Sequence, residues 1–293
     1  MSPNQNRGTA SPEPREVTRL ESDEEIRQAL EARRARLAPA AAATGTQPNV
    51  PTAEPVHVEA QPELPVLRPP VGMLCILDDG KTDGEWVRLR ADRVVIGRTE
   101  GDVLIPHDGL ISGQHAEIVR QRGPNGYRWV LADLQSTNGT FVRVGSTFLR
   151  HDAELLIGRG RYRFEAGATP AADAASPVLG APLPTTQAWS NEPVRAFVPS
   201  LVEITPAGPV QRFTLSLPEY WIGRDAQSCA IVRADDPLTN ARHARLYRNA
   251  KGQWYAENNK SVNGLWLRIA DSMPLGSACR FRLGEQQFIF RVK

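Results

Sequence analysis

Trp129–Val144 reads WVLADLQSTNGTFVRV, and Trp254–Ile269 reads WYAENNKSVNGLWLRI. In each, an apolar run enters a turn built on Asn-Gly and a second strand-like run leaves it. The match continues upstream. Val95–Arg98 (VIGR) returns as Trp221–Arg224 (WIGR), and Gln114–Arg120 (QHAEIVR) returns as Arg242–Arg248 (RHARLYR). The three anchors are offset by 125, 126 and 128 residues, which a duplication with small loop insertions explains and chance does not.

Around the anchors lie short β-rich runs separated by turn residues: Met73–Leu77, Trp86–Leu89, Val94–Gly97, His115–Arg120, Tyr127–Leu134, Thr140–Val144, Leu155–Gly158 and Tyr162–Glu165. No amphipathic helix interrupts them. Many short strands at close spacing predict an all-β protein of two tandem antiparallel β-sandwiches. The first is expected over residues 71–167 and the second over 197–293. Between them, 168–196 is rich in proline and alanine and reads as a flexible linker.

The chain has 293 residues, 41% apolar and 23% charged, with 24 prolines and a formal net charge of +2. That balance does not point to nucleic acid or membrane. By segment, residues 71–167 hold 13 basic and 13 acidic side chains, while 197–293 hold 13 basic and 8 acidic. A mild anionic preference therefore belongs to the second copy. Cys75, Cys229 and Cys279 form no CxxC pair and have no nearby histidine, so neither a disulfide framework nor a zinc site is expected. Cys75 and Cys279 lie in apolar runs and read as small core residues. The tryptophans at 86, 129, 221, 254 and 266 likewise read as core. The opening residues lack an apolar signal core, and no run is long enough to span a membrane, so a cytoplasmic protein is expected. The 31 arginines against four lysines suit a GC-rich bacterial genome.

Residues 1–70 have the composition of a largely disordered tail. Within it, Ser22-Asp-Glu-Glu25 is a capping box, followed by Ile26, Leu30 and Leu37 on one stripe and Arg33, Arg34 and Arg36 in the last turn. A short helix is predicted over 22–37, either solvated or docked on a partner. Thr9, Thr18, Thr44, Thr46 and Thr52 are candidate phosphorylation sites in this tail, Thr18 in an acidic context.

The chemistry concentrates in three short segments of the first copy: Gly97-Arg98, Ser112-x-x-His115, and Ser136-Thr-Asn-Gly-Thr140. All fall at strand ends or in turns, where a rigid sandwich displays recognition residues. Arg98 offers a planar, permanently charged fork for phosphate oxygens. Ser112 and Thr137 add hydroxyl donors, and Gly113 leaves its N–H open to close approach. Asn138 has a donor and an acceptor with which to clamp a peptide backbone. One guanidinium among neutral donors describes a site for a single dianionic group on an extended peptide. Gly97 permits a tight exit from its strand, and Asn138-Gly139 tolerates positive φ.

This ordered set, GR then SxxH then STNGT, resembles the forkhead-associated (FHA) domain, a phosphothreonine-peptide reader. The resemblance implies an eleven-stranded sandwich. It makes Arg98, Ser112 and Thr137 phosphate ligands, Asn138 the peptide clamp, and His115 a loop brace with Gly97 and Gly139 as structural support. Relatives often carry arginine where this chain has Gly113, so one positive charge is missing. Leu110, two before the loop serine, implies an apolar preference at the third residue after phosphothreonine. In the second copy Arg224 and Asn263 are kept, but Asn240 stands for the loop serine and Val262 for the threonine. That copy reads as a degenerate site.

The expected function is a phosphothreonine-binding adaptor in bacterial Ser/Thr kinase signalling. Its partner would be a phosphothreonine protein such as a kinase or its substrate, or its own phosphorylated tail. The alternative is a phosphate-independent scaffold. No catalytic residue, metal or cofactor is expected. Asp78-Asp79 and Asp235-Asp236 lack supporting ligands, and Ser112 with His115 lacks an orienting acid.

Overall fold

The computed structural model describes residues 18–22, 24–25, 28, 71–79, 81–123, 126–167 and 198–292. The linker over 168–196 and most of the tail lie outside them. The short β-rich runs read from the sequence become strands at almost every expected place, and these form two compact units. One comprises Ser22–Thr140 with Ile269–Lys293, and the other Met1–Glu21 with Phe141–Arg268. They are called here the Arg98 unit and the Arg224 unit.

The Arg98 unit takes β2 (Gly72–Leu77), β3 (Gly84–Leu89), β4 (Arg93–Gly97), β5 (Val103–Leu104), β6 (Ala116–Gly123) and β7 (Gly126–Asp133) from the first copy. It takes β18 (Ser272–Leu275), β19 (Ala278–Leu283) and β20 (Gln286–Val292) from the second. One sheet runs β18-β7-β6-β4-β5, and the other pairs β3 with β2, β2 with β20 and β20 with β19. In the register, Met73 faces Arg291 and Leu74 faces Phe290, while Met273 faces Leu131. Leu74, Ile96, Ile118, Leu131, Phe281, Phe288 and Phe290 fill the core.

The Arg224 unit is the reciprocal. The first copy supplies β8 (Thr140–Phe148), β9 (Glu154–Ile157) and β10 (Gly160–Glu165). The second supplies β11 (Ser200–Thr205), β12 (Gly208–Thr214), β13 (Glu219–Gly223), β14 (Ile231–Val232), β15 (Ala244–Arg248), β16 (Trp254–Asn258) and β17 (Leu265–Arg268). Their order is β12-β11-β10-β9-β17-β8-β16-β15-β13-β14. Only the short β4–β5 and β13–β14 ladders are parallel among the described pairings.

The two copies have therefore exchanged their last three strands, and the sequence copies at 71–167 and 197–293 do not coincide with the compact units. The exchange is reciprocal in detail. Trp129 of the first copy packs on Phe290 of the second at 5.6 Å between ring centroids. Trp254 of the second packs on Phe164 of the first at 6.4 Å. Because β10 and β20 present their aromatics at matched positions, either set of strands can close either sandwich. The crossing is marked by β8, which runs straight for nine residues where a strand ending at Val144 was expected. Phe141–Val144 pair with Leu265–Arg268 of β17, and Ser146–Phe148 pair with β16.

The tail contributes more than its composition suggests. Arg19–Leu20 form β1 against β8, and the Thr18 and Thr147 hydroxyls hydrogen-bond at 3.0 Å. Glu21 is buried beside Arg143, with Oε2 accepting from the guanidinium Nε at 2.5 Å. The capping box is formed: Glu25 N donates to Ser22 Oγ at 3.3 Å, and Ser22 N donates to Glu25 Oε2 at 2.9 Å. Glu24, Glu25 and Gln28 are helical, and the remainder of 22–37 lies outside the described residues. Of the five tail threonines, Thr18 alone is described.

Cys75 and Cys279 are core residues as expected, and Cys229 is buried too. Trp129, Trp254 and Trp266 are also core, whereas Trp221 is half-buried and Trp86 is 38% exposed under the Arg291 guanidinium.

Candidate functional site

Gly97 ends β4 and hands the chain to Arg98 at the rim of the Arg98 unit. Its requirement for glycine comes from close approach, since an added Cβ would lie 2.0 Å from the Gly113 carbonyl oxygen and 2.3 Å from that of Glu100. The β4–β5 and β5–β6 loops are laced together there. Arg98 N donates to Ser112 O at 2.9 Å, and Glu100 N donates to Gly113 O at 3.0 Å.

His115 sits at the base, fully buried. Its Nδ1 accepts from Ser112 N at 3.1 Å, and its Nε2 lies 3.2 Å from Gly139 O. A ring that accepts at Nδ1 and faces a carbonyl at Nε2 is neutral, with its proton on Nε2. Burial holds its pKa below the ordinary histidine value, against the raising effect of the Gly139 carbonyl. His115 is thus a brace between two loops, with no lone pair left for proton transfer. Gly139 takes φ 83°, the conformation its Asn-Gly turn requires.

Above this frame, Thr137 N donates to Ser112 Oγ at 3.1 Å and Asn138 Nδ2 donates to Leu110 O at 2.8 Å. The structure therefore brings Arg98, Ser112, Gly113, Thr137 and Asn138 onto one rim. Arg98 and Thr137 are exposed, and neither side chain has a hydrogen bond or ion pair among the described residues. Ser112 retains its O–H, and Asn138 retains its carbonyl and one N–H. Leu110 is 47% exposed beside them.

Two supports were not singled out from the sequence. Asp133 holds the turn from beneath, its Oδ1 accepting from Ser136 Oγ and Thr140 Oγ1, both at 2.6 Å. An aspartate three residues before the Ser136 N–H it accepts from is a local side-chain-to-backbone pattern that could have been read. Asp108 is buried, with Oδ1 accepting from Leu110 N at 2.9 Å. Its Oδ2 accepts from Glu285 N at 2.7 Å and Gln286 N at 3.1 Å, in the β19–β20 turn of the second copy. No local pattern announces that role.

The Arg224 unit repeats the frame. Arg224 N donates to Asn240 O at 3.0 Å, Asn240 N to His243 Nδ1 at 3.2 Å, and His243 Nε2 lies 2.9 Å from Gly264 O. Asn263 Nδ2 donates to Leu238 O at 2.7 Å. Asp236 takes the place of Asp108, with Oδ2 accepting from Arg159 N at 2.7 Å and Oδ1 from Leu238 N at 2.9 Å. Of the Asp235-Asp236 pair, then, Asp236 is a loop anchor. The bond from Thr137 N to a serine hydroxyl has no counterpart at Val262.

The family model described as FHA domain matches residues 94–158 and 220–284. A curated relative, the FHA domain-containing protein FhaB of Mycolicibacterium smegmatis (strain ATCC 700084 / mc(2)155), is 33% identical over 67 residues. That match covers 23% of this chain and 41% of the relative, so the chain spans about two fifths of its length. Solved structures also align. One, from a structural and functional analysis of phosphothreonine-dependent FHA domain interactions, is 16% identical over 75% of this chain and 95% of its own, with a TM-score of 0.26. The FHA domain of CT664 from Chlamydia trachomatis is 22% identical over 30% and 90%, at 0.19. Mycobacterium tuberculosis EmbR, in complex with a low affinity phosphopeptide, is 21% identical over 28% and 21%, at 0.17.

Proposed function

From the premise that residues 94–158 and 220–284 are two FHA domains, we propose that the rim around Arg98 binds phosphothreonine on a partner and makes the protein a cytoplasmic adaptor in Ser/Thr kinase signalling. The observation that carries this reading is an exposed guanidinium, unpaired among the described residues, beside hydroxyls that can still donate, on a pinned frame. Among the described residues Arg98 has no carboxylate partner to leave, so an incoming dianion gains its charge-assisted hydrogen bonds without breaking others there. Ser112 and Thr137 supply further donors at fixed positions, and Asn138 remains able to hold the peptide backbone.

The frame is rigid where it must be. His115 ties the loop carrying Ser112 to the turn carrying Asn138, so the donors keep their spacing before a ligand arrives. Preorganisation of this kind lowers the ordering cost of binding. Gly113 adds no second charge, and the site rests on one guanidinium.

The test is a titration of full-length protein with matched phosphorylated and unphosphorylated threonine peptides. Arg98→Ala should weaken phosphopeptide binding by roughly 10- to 150-fold, the equivalent of one charge-assisted hydrogen bond worth ~1.5–3 kcal/mol. Equal affinity for the two peptides would favour a phosphate-independent scaffold, and an unchanged affinity in Arg98→Ala would remove the site from this rim.

A further inference from the structure

The rim of the Arg224 unit keeps the scaffold of the Arg98 rim and changes what it displays. The backbone bonds, the buried histidine brace and the asparagine bond to the preceding loop are all present in both. The hydroxyls are not, because Asn240 stands where Ser112 does and Val262 where Thr137 does. Two cations have arrived instead. Arg242 takes the place of Gln114, and Lys260 takes the place of Gln135 with the same left-handed backbone, φ 50° against 55°.

These cations and Arg224 are carried by three loops that are stitched together. Arg224 N and Asp225 N bond to the Asn240 and Ala241 carbonyls, two and one residues before Arg242. Asn259 Nδ2, next to Lys260, donates to the Arg242 carbonyl at 3.0 Å. Arg224, Arg242 and Lys260 are all exposed, and none has an ion-pair partner among the described residues. Arg242 is held flat over the Trp221 ring at 3.7 Å, which fixes its guanidinium without neutralising it. The rim's acid, Asp225, accepts from Gln227 N at 3.0 Å and Ser228 Oγ at 2.6 Å within its own loop, and it lies within electrostatic reach of Arg242. In the Arg98 rim, by contrast, Gln114 is neutral and hydrogen-bonded to Glu100.

We propose that this rim is a second, phosphate-independent binding site, for an acidic protein segment carrying several carboxylates along an extended chain. Against the Arg98 rim, Val262 removes a donor outright and Asn240 exchanges a hydroxyl for an amide, so the compact set of neutral donors around one guanidinium is gone. Spaced carboxylates need spaced cations, which this rim has. Asn263 occupies the position of Asn138, able to clamp an extended backbone. A nucleic acid fits less well, since phosphate tracking draws on a longer row of contacts than three cations offer.

The assay is fluorescence anisotropy of full-length protein with a labelled glutamate-rich peptide of about ten residues, at low and at moderate salt. Binding should weaken with salt, fall about tenfold or more in Arg242→Gln/Lys260→Gln, and be unaffected by Arg98→Ala. The double variant should bind phosphothreonine peptide as the wild type does, which shows that it is folded and separates this site from the one around Arg98. No measurable binding of the acidic peptide overturns the proposal, as does unchanged binding in the double variant. So would a phosphothreonine peptide captured through Arg224, or duplex DNA of equal charge binding at least as well.

Discussion

Strand exchange between the copies makes a demand that can be tested by cross-linking. In the Arg98 unit, Met73 of β2 faces Arg291 of β20 in an antiparallel ladder. Facing residues there have Cα atoms about 4.5–5.5 Å apart, inside the window of about 4.4–6.8 Å that a disulfide accepts. Both side chains are half-buried and reachable by oxidant. If each copy instead closed on itself, Met73 would face Glu165, which occupies in β10 the place of Arg291 in β20. Met73→Cys/Arg291→Cys should therefore oxidise to an intramolecular disulfide in the monomer, and Met73→Cys/Glu165→Cys should not. The native cysteines are all buried and will not compete.

The disulfide closes a loop of roughly 220 residues, for which chain entropy gives a stabilisation of about 5 kcal/mol as an upper figure. Mass spectrometry under non-reducing conditions reads the bond, and urea unfolding with and without reductant reads the stabilisation. What favours exchange over self-closure must lie at the crossing, because the sandwich interiors are similar either way. Four β8–β17 residue pairs lie there, each worth about 0.2–1 kcal/mol. So does Arg143, held by Glu21, by the Ser261 carbonyl at 3.1 Å and over the Trp266 ring at 5.9 Å. A disulfide in the Met73/Glu165 variant with none in the Met73/Arg291 variant would refute the exchange.

Other expectations follow from the same contacts. Asp108→Ala should cost about 2–4 kcal/mol, by leaving Leu110, Glu285 and Gln286 N–H groups without their acceptor. It should also weaken phosphopeptide binding although Arg98 is intact, whereas Asp236→Ala should destabilise without touching that affinity; equal effects on affinity would contradict the assignment. Glu21→Ala leaves the Arg143 guanidinium buried and uncompensated, so urea unfolding should lose about 3–5 kcal/mol. A loss below 1 kcal/mol would place β1 outside the folded unit. Burial lowers the pKa of His115 and of His243, so the unfolded chain takes up protons first as pH falls below about 6.5. Stability should be full above that pH and decline toward pH 5, and His115→Gln should flatten the slope by up to about 1.4 kcal/mol per pH unit.

What could be read in advance divides along physical lines. Strands were legible because a short β-rich run bounded by turn residues is a local signal: Met73–Leu77 and Tyr162–Glu165 carry it in consecutive residues, and the ladders fell within a residue or two of those bounds. The rim was legible because its frame is also local, three short segments whose turn residues fix their own geometry, as Gly139 shows. Asp108 was opaque because its partners lie 177 and 178 residues away, in a turn with no signal pointing back. β1 was opaque because two residues are too few to alternate, and what docks them is a buried Glu21–Arg143 pair across the fold.

The exchange was opaque for a deeper reason. Duplication made the fold readable twice over, yet it also made the closing strands interchangeable. Phe164 and Phe290 occupy the same place in the two copies, as do Asp108 and Asp236, so no pattern in either copy prefers its own β10 or β20. The choice rests on residues that break the symmetry. Arg143 stands where the second copy has Arg268, but Arg143 is buried against Glu21 of a tail that the second copy lacks, whereas Arg268 is half-buried beside Glu154. The same logic separates the two rims. The shared frame of His115 and His243 says only that both can present something, and the differences at Ser112 and Asn240, Thr137 and Val262, Gln114 and Arg242 decide what each presents. In a duplicated protein the fold is carried by what the copies share, and partner choice, inside the chain and outside it, by where they differ.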